Sequence, residues 1–272
     1  MTIERTPFIF HVYFPNKFPD MSHRSDEALL FGRNPVIAAL RADRSINKIL
    51  IAKGTSGQEI DTITELARKN GVVYQFVDRR QLDTLVRGSH QGVAAYGSER
   101  AYVEVADLLS AAETRGEPPF LMVLDGIQDP HNLGSIIRSA DATGAHGIVI
   151  PRRNAAGITS VVVKASAGAV DYMPVARIPN VKQALEGLKS QGVWCIGLEA
   201  DGENSFTQMD YAGPVAIIVG SEGKGIRQLV RRTCDSVVRL PIDGHTGTLN
   251  ASVAAAIVMY EVFRQRRTAQ KS

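Results

Sequence analysis

The chain has 272 residues, of which 44% are hydrophobic and 22% charged, a composition typical of a globular protein with room for two domains. No apolar run reaches the roughly 18 residues of a membrane-spanning helix, and the two cysteines, Cys195 and Cys234, lack the spacing of a metal site or disulfide framework. These features predict a reducing, cytoplasmic setting, while the formal net charge of +3 neither requires nor excludes a nucleic-acid partner.

Residues 1–22 do not look like a folded element, and we predict an extension or disordered tail. Their aromatic residues stand among prolines, which break helices. The segment also lacks the basic start, continuous apolar core and cleavage site of a signal peptide. If Met21 is the natural start, deletion of residues 1–20 will leave activity intact.

The next stretch, 23–98, alternates predicted helices and strands, which indicates a small α/β domain. Asn34 is placed to cap the first helix, with Pro35 at its first helical position. Arg33, His90 and Gln91 are expected on loops. The further predicted elements are a strand at 48–52, a helix at 59–70, a strand at 72–77, a short helix opened by Asp78 and a strand at 93–96.

Residues 99–117 change character and are predicted to link two domains. A predicted helix at 103–112 precedes a polar connector that ends in prolines. From 118 to 272, buried strands alternate with helices, which predicts a mostly parallel sheet covered on both faces. Ligands of such sheets bind at the carboxyl ends of the strands, so the loops there carry the candidate site.

A long loop and helix follow the first strand of this second domain. Asn132 is close enough to the helix start to cap it. Arg138 lies between the apolar pair Ile136 and Ile137 and Ala140. A long cation at such a position must reach outward or meet an anion, and a phosphate is a natural partner.

Two further strands, in the stretch from Val215 to Tyr260, each run into a glycine-bearing loop. Gly220, Gly223 and Gly225 let the backbone of the first loop approach a ligand closely. Their spacing is neither the Rossmann fingerprint nor a P-loop. A last helix follows, capped by Asn250 or Ser252, with Val253, Ile257 and Tyr260 at helical spacing.

Clustered arginines add an electrostatic signal. Each cluster alone is typical of a solvated surface, but several on one chain are typical of a protein with a polyanionic partner. The clusters are Arg79 and Arg80 with Arg87, Arg152 with Arg153, Arg231 with Arg232, and Arg264 with Arg266 and Arg267.

Three ordered blocks of the second domain match a known pattern. They are DPHNLGSIIRSA at 129–140, VGSEGKGI at 219–226 and LPIDGHTGTLNASVA at 240–254. The blocks resemble the three motifs of the SpoU (TrmH-type) RNA 2′-O-ribose methyltransferases. The small first domain is similar to the substrate-binding domain of the ribosomal-RNA members, and the resemblance covers all but the first twenty residues or so.

The resemblance implies a SPOUT-type α/β catalytic domain with a deep trefoil knot, preceded by a small α/β RNA-binding domain. It also implies S-adenosylmethionine as cofactor and a homodimer whose active site forms where two catalytic domains meet. No metal and no membrane are expected. By motif position, the residues implied to contact the cofactor are Gly220, Leu240 and Leu249, with Ile242 and Gly223 close by.

The resemblance also implies roles for the catalytic residues. Arg138 matches the essential arginine of the family, Asn132 and Glu222 would orient it or the sugar, and Asn250 would position the cofactor. Thr248 stands where the family usually has serine, and threonine keeps the hydroxyl. Full turnover by Thr248→Ala would show that this hydroxyl has no catalytic role.

In the small domain, the residues expected to bind RNA are Arg33, His90 and Gln91, although a loop histidine without a special task is the simpler local interpretation of His90.

Three functions remain open at this point. The layout favours methylation of a guanosine ribose in large-subunit (23S) ribosomal RNA. The alternatives are methylation of transfer RNA or of a ribosomal adenosine, as in resistance methyltransferases, and a non-catalytic RNA-binding assembly factor. The N-terminal domain disfavours transfer RNA, because that branch of the family uses terminal helices instead, and the intact polar motif residues disfavour loss of catalysis.

Overall fold

The structure, a computed structural model, describes residues 29–42, 44–86, 88–245 and 247–269. The predicted extension at 1–22 lies outside these residues. The described chain contains a four-stranded sheet, here the small sheet, and a seven-stranded sheet, the large sheet. The elements around the small sheet are β1 (Leu29–Phe31), α1 (Arg33–Arg41), β2 (Ile46–Ala52), α2 (Gln58–Lys69), β3 (Tyr74–Val77), α3 (Arg79–Leu85) and β4 (Val93–Gly97).

The small sheet has the strand order β1-β4-β2-β3, with β3 parallel to β2 and β4 antiparallel to both of its neighbours. Val36, Ile49 and Ile63 are fully buried where α1 and α2 cover it. The helix α1 begins at Arg33 with Gly32 as its N-cap at φ +94, so the prediction of Asn34 as the cap was wrong. The glycine adopts a positive φ and starts the helix before Asn34 is reached.

The remaining elements surround the large sheet. They are α4 (Val105–Arg115), β5 (Phe120–Asp125), α5 (Pro130–Ala142), β6 (Gly147–Pro151), α6 (Ser160–Ala165), β7 (Val175–Ile178), α7 (Val181–Ser190), β8 (Trp194–Leu198), β9 (Asn204–Ser205), β10 (Val215–Gly220), α8 (Gln228–Arg231), β11 (Ser236–Arg239) and α9 (Ala251–Ala269), with single 3₁₀ turns at Ala169–Asp171 and Phe206–Gln208.

The large sheet has the order β7-β6-β5-β10-β8-β11-β9, and all its described pairings are parallel. Every residue of the central strands β5 and β10 is buried. Apolar residues of α5 and α9 cover one face of the sheet, and those of α4 and α7 cover the other. The predicted parallel sheet with two covered faces is confirmed.

The helix α4 packs tightly on this sheet rather than standing free. Leu108 of α4 is fully buried, and a Cβ on Gly147 of β6 would lie only 2.4 Å from its Cδ2. The helix starts at a capping box formed by Glu104 and Asp107 and continues to Arg115, into the segment predicted as a polar connector. The part of 99–117 that forms α4 therefore contributes to the core of the large sheet.

A buried histidine joins the start of β5 to the start of β6. The Nδ1 atom of His146 accepts a hydrogen bond from the Phe120 N–H at 3.0 Å, so its other nitrogen, Nε2, carries the proton and donates to Glu117 Oε2 at 3.1 Å. Burial lowers the pKa of His146, and the hydrogen bond to Glu117 opposes that shift without cancelling it. The folded protein therefore holds this histidine in the neutral form.

We expect the unfolding free energy to fall as the pH decreases through the ordinary histidine range, near about 6.5. The folded pKa of His146 is lower than the unfolded one, so in this range the unfolded chain binds more protons. Urea unfolding at several pH values tests this. His146→Gln should reduce the pH dependence, while His131→Gln, at an exposed histidine, should not. An unchanged pH dependence in His146→Gln would contradict the assignment.

Candidate active site

The candidate site lies at the carboxyl ends of β8, β10 and β11, where ligands of parallel sheets bind. A cavity of about 530 Å³ opens there, within the usual size range of small-molecule sites. It is lined by all the residues predicted to contact the cofactor, namely Gly220, Gly223, Leu240, Ile242 and Leu249. Three of the predicted catalytic residues, Glu222, Thr248 and Asn250, line it too.

The loop after β10 forms one wall of the cavity and depends on a bare backbone at Gly220. A Cβ there would lie 2.0 Å from the carbonyl carbon of Gly225 and 2.2 Å from the nitrogen of Ile226. The loop closes through a reciprocal pair of hydrogen bonds: the Ser221 N–H donates to Gly225 O at 3.1 Å, and the Gly225 N–H donates to Ser221 O at 2.9 Å. Gly223, at the tip, has φ +77, and a Cβ there would meet nothing within 4 Å.

Two carboxylates that the sequence analysis missed hold the far end of this loop. Asp125, at the end of β5, is buried and accepts hydrogen bonds from the N–H and Nε of Arg227, each at 2.8 Å. Glu199, directly after β8, accepts a hydrogen bond from the Ile226 N–H. Each comes directly after a run of buried apolar residues, Asp125 as the last residue of its strand and Glu199 just beyond one, which is the signal that could have identified them.

A cluster of three polar side chains stands beside the cavity. Glu222 Oε1 accepts hydrogen bonds from Nδ2 of Asn132 at 3.0 Å and from Nδ2 of Asn250 at 2.6 Å. Asn250 Nδ2 also donates to Asn132 Oδ1 at 2.9 Å. These contacts join α5, the loop after β10 and the start of α9, three segments far apart in the sequence. The structure thus brings together three of the predicted catalytic residues.

The two asparagines differ in their relation to the helix ends. Asn250 Oδ1 accepts hydrogen bonds from the Ser252 N–H at 2.9 Å and the Val253 N–H at 3.3 Å, so the prediction that Asn250 caps the last helix is confirmed. The prediction that Asn132 caps α5 was wrong. Asp129 caps this helix instead, because its carboxylate accepts a hydrogen bond from the His131 N–H at 2.9 Å. The buried amide of Asn132 is thereby free to hold Glu222.

Arg138 is exposed on α5 and does not line the cavity of its own chain. Within the described part of the chain, its guanidinium makes no hydrogen bond and no ion pair. Asn132 and Glu222, which were expected to orient it or the sugar, bond to each other and to Asn250 instead. The charge of Arg138 is therefore available to an anion from outside the chain.

The predicted apolar residues of α9 have the expected helical spacing, but they face solvent. Val253 is 47% exposed, Ile257 37% and Tyr260 52%. The opposite side of the helix, with Val258 and Val262, is buried in the core. An apolar stripe thus starts beside the cavity and runs along the exposed side of α9, where the ring of Tyr260 meets that of Phe263, on the same helix, edge-on at 6.0 Å.

The three residues predicted to bind RNA lie beside the small sheet; His90 and Gln91 are on a loop, as predicted, but Arg33 is the first residue of α1, so its placement on a loop was wrong. The Arg33 N–H donates to Gln91 Oε1, and Arg33 Nε donates to Gln91 O, both at 3.2 Å, beside a polar cavity. His90 is only 4% exposed; its Nδ1 accepts from the Gly92 N–H at 3.0 Å, and its Nε2 donates to Asp83 at 2.8 Å. With both nitrogens engaged, His90 holds the loop in place, and the prediction that it faces RNA from a surface loop is not supported.

The described residues contain neither a metal-binding cluster nor a membrane-spanning helix. No three side chains among His, Cys, Asp and Glu of this part of the chain lie together in a way that could hold a metal ion. Likewise, none of its helices is both long and apolar enough to cross a bilayer.

Comparison with known protein families gives two matches. Residues 119–260 match the SpoU rRNA Methylase family, and residues 29–103 match the family described as RNA 2′-O ribose methyltransferase substrate binding. The two ranges coincide with the regions of the large and small sheets. The fold and the cavity define an α/β protein that binds its ligand at the carboxyl edge of a parallel sheet. The chain belongs to the SpoU rRNA methylase family.

Two relatives are similar over most of the chain. YacO of Bacillus subtilis, named for the TrmH family of tRNA/rRNA methyltransferases, is 47% identical over 246 residues, covering 90% of this chain and 98% of the relative. The Synechocystis protein slr0955, named as an uncharacterized tRNA/rRNA methyltransferase, is 44% identical over 261 residues, covering 93% of this chain and 67% of the relative.

Two solved structures share the fold. The SpoU methyltransferase AviRb of Streptomyces viridochromogenes, in complex with AdoMet, is 25% identical with a TM-score of 0.57, covering 88% of this chain and 90% of that one. An AdoMet-bound rRNA methyltransferase of Sinorhizobium meliloti is 25% identical with a TM-score of 0.55, covering 87% and 86%.

Proposed function

We propose that the protein is a cytoplasmic RNA methyltransferase that uses S-adenosylmethionine to methylate a ribose 2′-hydroxyl, with a guanosine of 23S ribosomal RNA as its target. The observation that carries this proposal is the cavity at the carboxyl edge, which holds every residue that the family motifs assign to the cofactor. Family membership and the AdoMet complexes of two structural neighbours identify S-adenosylmethionine as the cofactor.

The residues of the cavity fit this cofactor chemically. The aliphatic side chains of Leu240, Ile242 and Leu249 suit the apolar faces of an adenosyl group, and the polar Glu222 and Asn250 lie at the same wall. The open space above Gly223 leaves the loop backbone accessible to a ligand. When bound, S-adenosylmethionine supplies a methyl group on a positively charged sulfonium.

The polar cluster would orient the ribose. Both amide donors of Asn132 and Asn250 engage the same oxygen of Glu222, Oε1. The second oxygen, Oε2, is thereby fixed in direction and can accept a hydrogen bond from the ribose hydroxyl. The neutral amides hold the carboxylate in place without adding a competing charge.

Arg138 would stabilise negative charge. An arginine side chain is effectively always protonated in proteins, so we assign it to the phosphate of the target nucleotide and to the developing 2′-alkoxide rather than to proton removal. Its exposed position outside the cavity of its own chain suits a partner subunit or the RNA itself.

A homodimer would bring these parts together. The exposed stripe of Val253, Ile257 and Tyr260 begins beside the cavity and is the kind of apolar surface that subunit interfaces cover. In such a dimer, Arg138 of one protomer would serve the cavity of the other. We also propose that the segment from β10 to α9 is threaded as a trefoil knot; membership of the SpoU rRNA methylase family supports this proposal.

Methyl transfer from labelled S-adenosylmethionine tests the proposal, with unmodified large-subunit ribosomal RNA and transfer RNA as acceptors. The match of 119–260 to the SpoU rRNA Methylase family supports the ribosomal acceptor, and label there is the expected result. Label in transfer RNA alone would keep the chemistry and overturn the substrate. Cofactor binding without label in either RNA would favour the alternative of an RNA-binding assembly factor.

A further inference from the structure

A second cavity, of about 600 Å³, lies where the small sheet meets the large one. We call it the junction cleft; Lys48, Tyr74 and Tyr96 line it from the small sheet, and Arg152, Arg153 and Arg177 line it from the large one. Neither the family motifs nor the cofactor cavity include these six residues.

Hydrogen bonds across the junction fix the two walls of the cleft relative to each other. Asn47, on β2, donates through Nδ2 across the junction to Ile158 O at 3.2 Å and, within the small sheet, to Gly97 O at 3.1 Å. The Tyr102 hydroxyl donates to Asn47 Oδ1 at 2.6 Å and accepts from the Ile158 N–H at 2.9 Å. The cleft is therefore preformed rather than dependent on closure of a flexible hinge.

The charge in the junction cleft is unbalanced. Four cationic side chains line it, Lys48, Arg152, Arg153 and Arg177, and its described lining contains no aspartate or glutamate. None of the four forms an ion pair within the described chain. The cavity beside Arg33 differs, because Arg33 is paired with Glu59 and the neighbouring Lys53 with Asp78, each at 3.1 Å.

Arg177 is held in the cleft by backbone carbonyls rather than by a carboxylate. Its guanidinium donates to the backbone carbonyls of Ile46, Asn47 and Arg152 at 3.0, 2.8 and 3.2 Å and lies 5.0 Å from the centre of the Tyr102 ring. Burial lowers the pKa of Arg177, and the like charge of Arg152 adds to that shift. An anion bound near Arg152 would relieve this repulsion.

Aromatic side chains stand next to the cations. Tyr74 lines the cleft on β3, the edge strand of the small sheet, and its ring meets Phe76 edge-on at 6.0 Å. Phe76 is 49% exposed. A basic groove lined by half-buried tyrosines and flanked by an exposed phenylalanine is the combination that binds single-stranded nucleic acid, since phosphates meet the cations and bases stack on aromatic rings.

The position of the cleft leads towards the candidate active site. Arg152 and Arg153 directly follow β6, so they lie at the same edge of the large sheet as the cofactor cavity. Gln128, which also lines the cleft, belongs to the loop that runs into α5, and α5 carries Asn132 and Arg138. An RNA strand lying in the cleft would therefore reach the edge of the large sheet that carries the candidate active site.

We propose that the junction cleft binds a single-stranded segment of the RNA substrate next to the methylated nucleotide, with Arg152 and Arg153 holding its phosphates. This inference rests on the proposed function, because it assigns a path for the same RNA. The cleft acts in binding, so its loss should raise the KM for RNA and leave kcat nearly unchanged.

Charge-removing variants test the cleft. Arg152→Gln/Arg153→Gln should weaken binding of a short fluorescein-labelled single-stranded RNA by about tenfold, and the salt dependence of log K should fall by about 0.7 for each lost phosphate contact. Arg152→Lys/Arg153→Lys should retain most of the affinity. Arg115→Gln is a control that removes a single charge elsewhere, because Arg115 is exposed at the end of α4 and does not line the cleft.

The result that overturns the proposal is equal RNA affinity of Arg152→Gln/Arg153→Gln and Arg115→Gln, or no binding of the probe by the wild-type protein. Thermal unfolding and S-adenosylmethionine affinity of each variant, both expected to be unchanged, exclude misfolding as the cause of a loss. Failure of the proposed function would give a different result, because the wild-type protein would then bind RNA but transfer no methyl group.

Discussion

Arg138→Ala is expected to lower kcat for methyl transfer by on the order of 10² to 10³, while the affinity for S-adenosylmethionine stays within about twofold. The effect on kcat and the effect on cofactor affinity differ because of where Arg138 lies. Arg138 is exposed, lies outside the cofactor cavity and makes no hydrogen bond or ion pair in the described chain, so its removal leaves the cavity and the fold intact. Single-turnover methyl transfer and calorimetric cofactor binding measure the two quantities separately.

Two variants control this prediction. Arg138→Lys keeps the charge but not the paired donors of the guanidinium, so it should recover only part of the rate. Arg115→Gln removes an exposed arginine from the other end of the sheet and should behave as wild type. Full turnover by Arg138→Ala would mean that another group stabilises the developing negative charge.

Gly220→Ala is expected to destabilise the protein by about 3 kcal/mol and to abolish measurable cofactor binding. The new methyl group would lie 2.0 Å from Gly225 C and 2.2 Å from Ile226 N, and these are backbone atoms that cannot rotate away. The loop from Ser221 to Gly225 would have to open, and with it the wall of the cavity. Denaturant unfolding and calorimetry measure the two effects.

The matched control for this change is Gly244→Ala, in the other loop of the same edge. A Cβ at Gly244 meets nothing within 4 Å, and its φ lies outside the left-handed region. It should therefore fold and bind S-adenosylmethionine like wild type. If Gly220→Ala also binds the cofactor with wild-type affinity, the loop does not form the wall that we assign to it.

Much of the fold could be predicted because the sequence carries strong local signals. The strands β5 and β10 are continuous apolar runs, which is the pattern of parallel strands buried on both faces. The cap of α9 was predictable as well, since the capping hydrogen bonds of Asn250 involve only the neighbouring Ser252 and Val253.

Features that depend on distant residues could not be predicted from the sequence alone. Asn132 had a good local interpretation as a helix cap, but its partners, Glu222 and Asn250, lie in other segments of the chain. The role of Asp125 depends likewise on Arg227, which the topology brings beside it. His90 is a nearer case: it was placed on a loop correctly, but the hydrogen bond of its ring to Asp83 of α3, seven residues away, was not predicted.

The orientation of α9 shows a different limit. Its sequence is apolar or small around most of its circumference, so helical spacing predicts a stripe at Val253, Ile257 and Tyr260 without showing which side faces the core. Packing against α5 and the large sheet decides the matter by burying Val258 and Val262 instead. The exposed stripe that results is what the proposed dimer would cover.

The most direct test of the proposed 2′-O-methylation is nucleoside mass spectrometry of unmodified large-subunit RNA after reaction with the wild-type protein and isotope-labelled S-adenosylmethionine. We expect the label in 2′-O-methylguanosine, and the modified position should resist alkaline cleavage, because methylation removes the 2′-hydroxyl that attacks the phosphodiester bond. Label on a base, at a position still cleaved by alkali, would contradict the proposed chemistry.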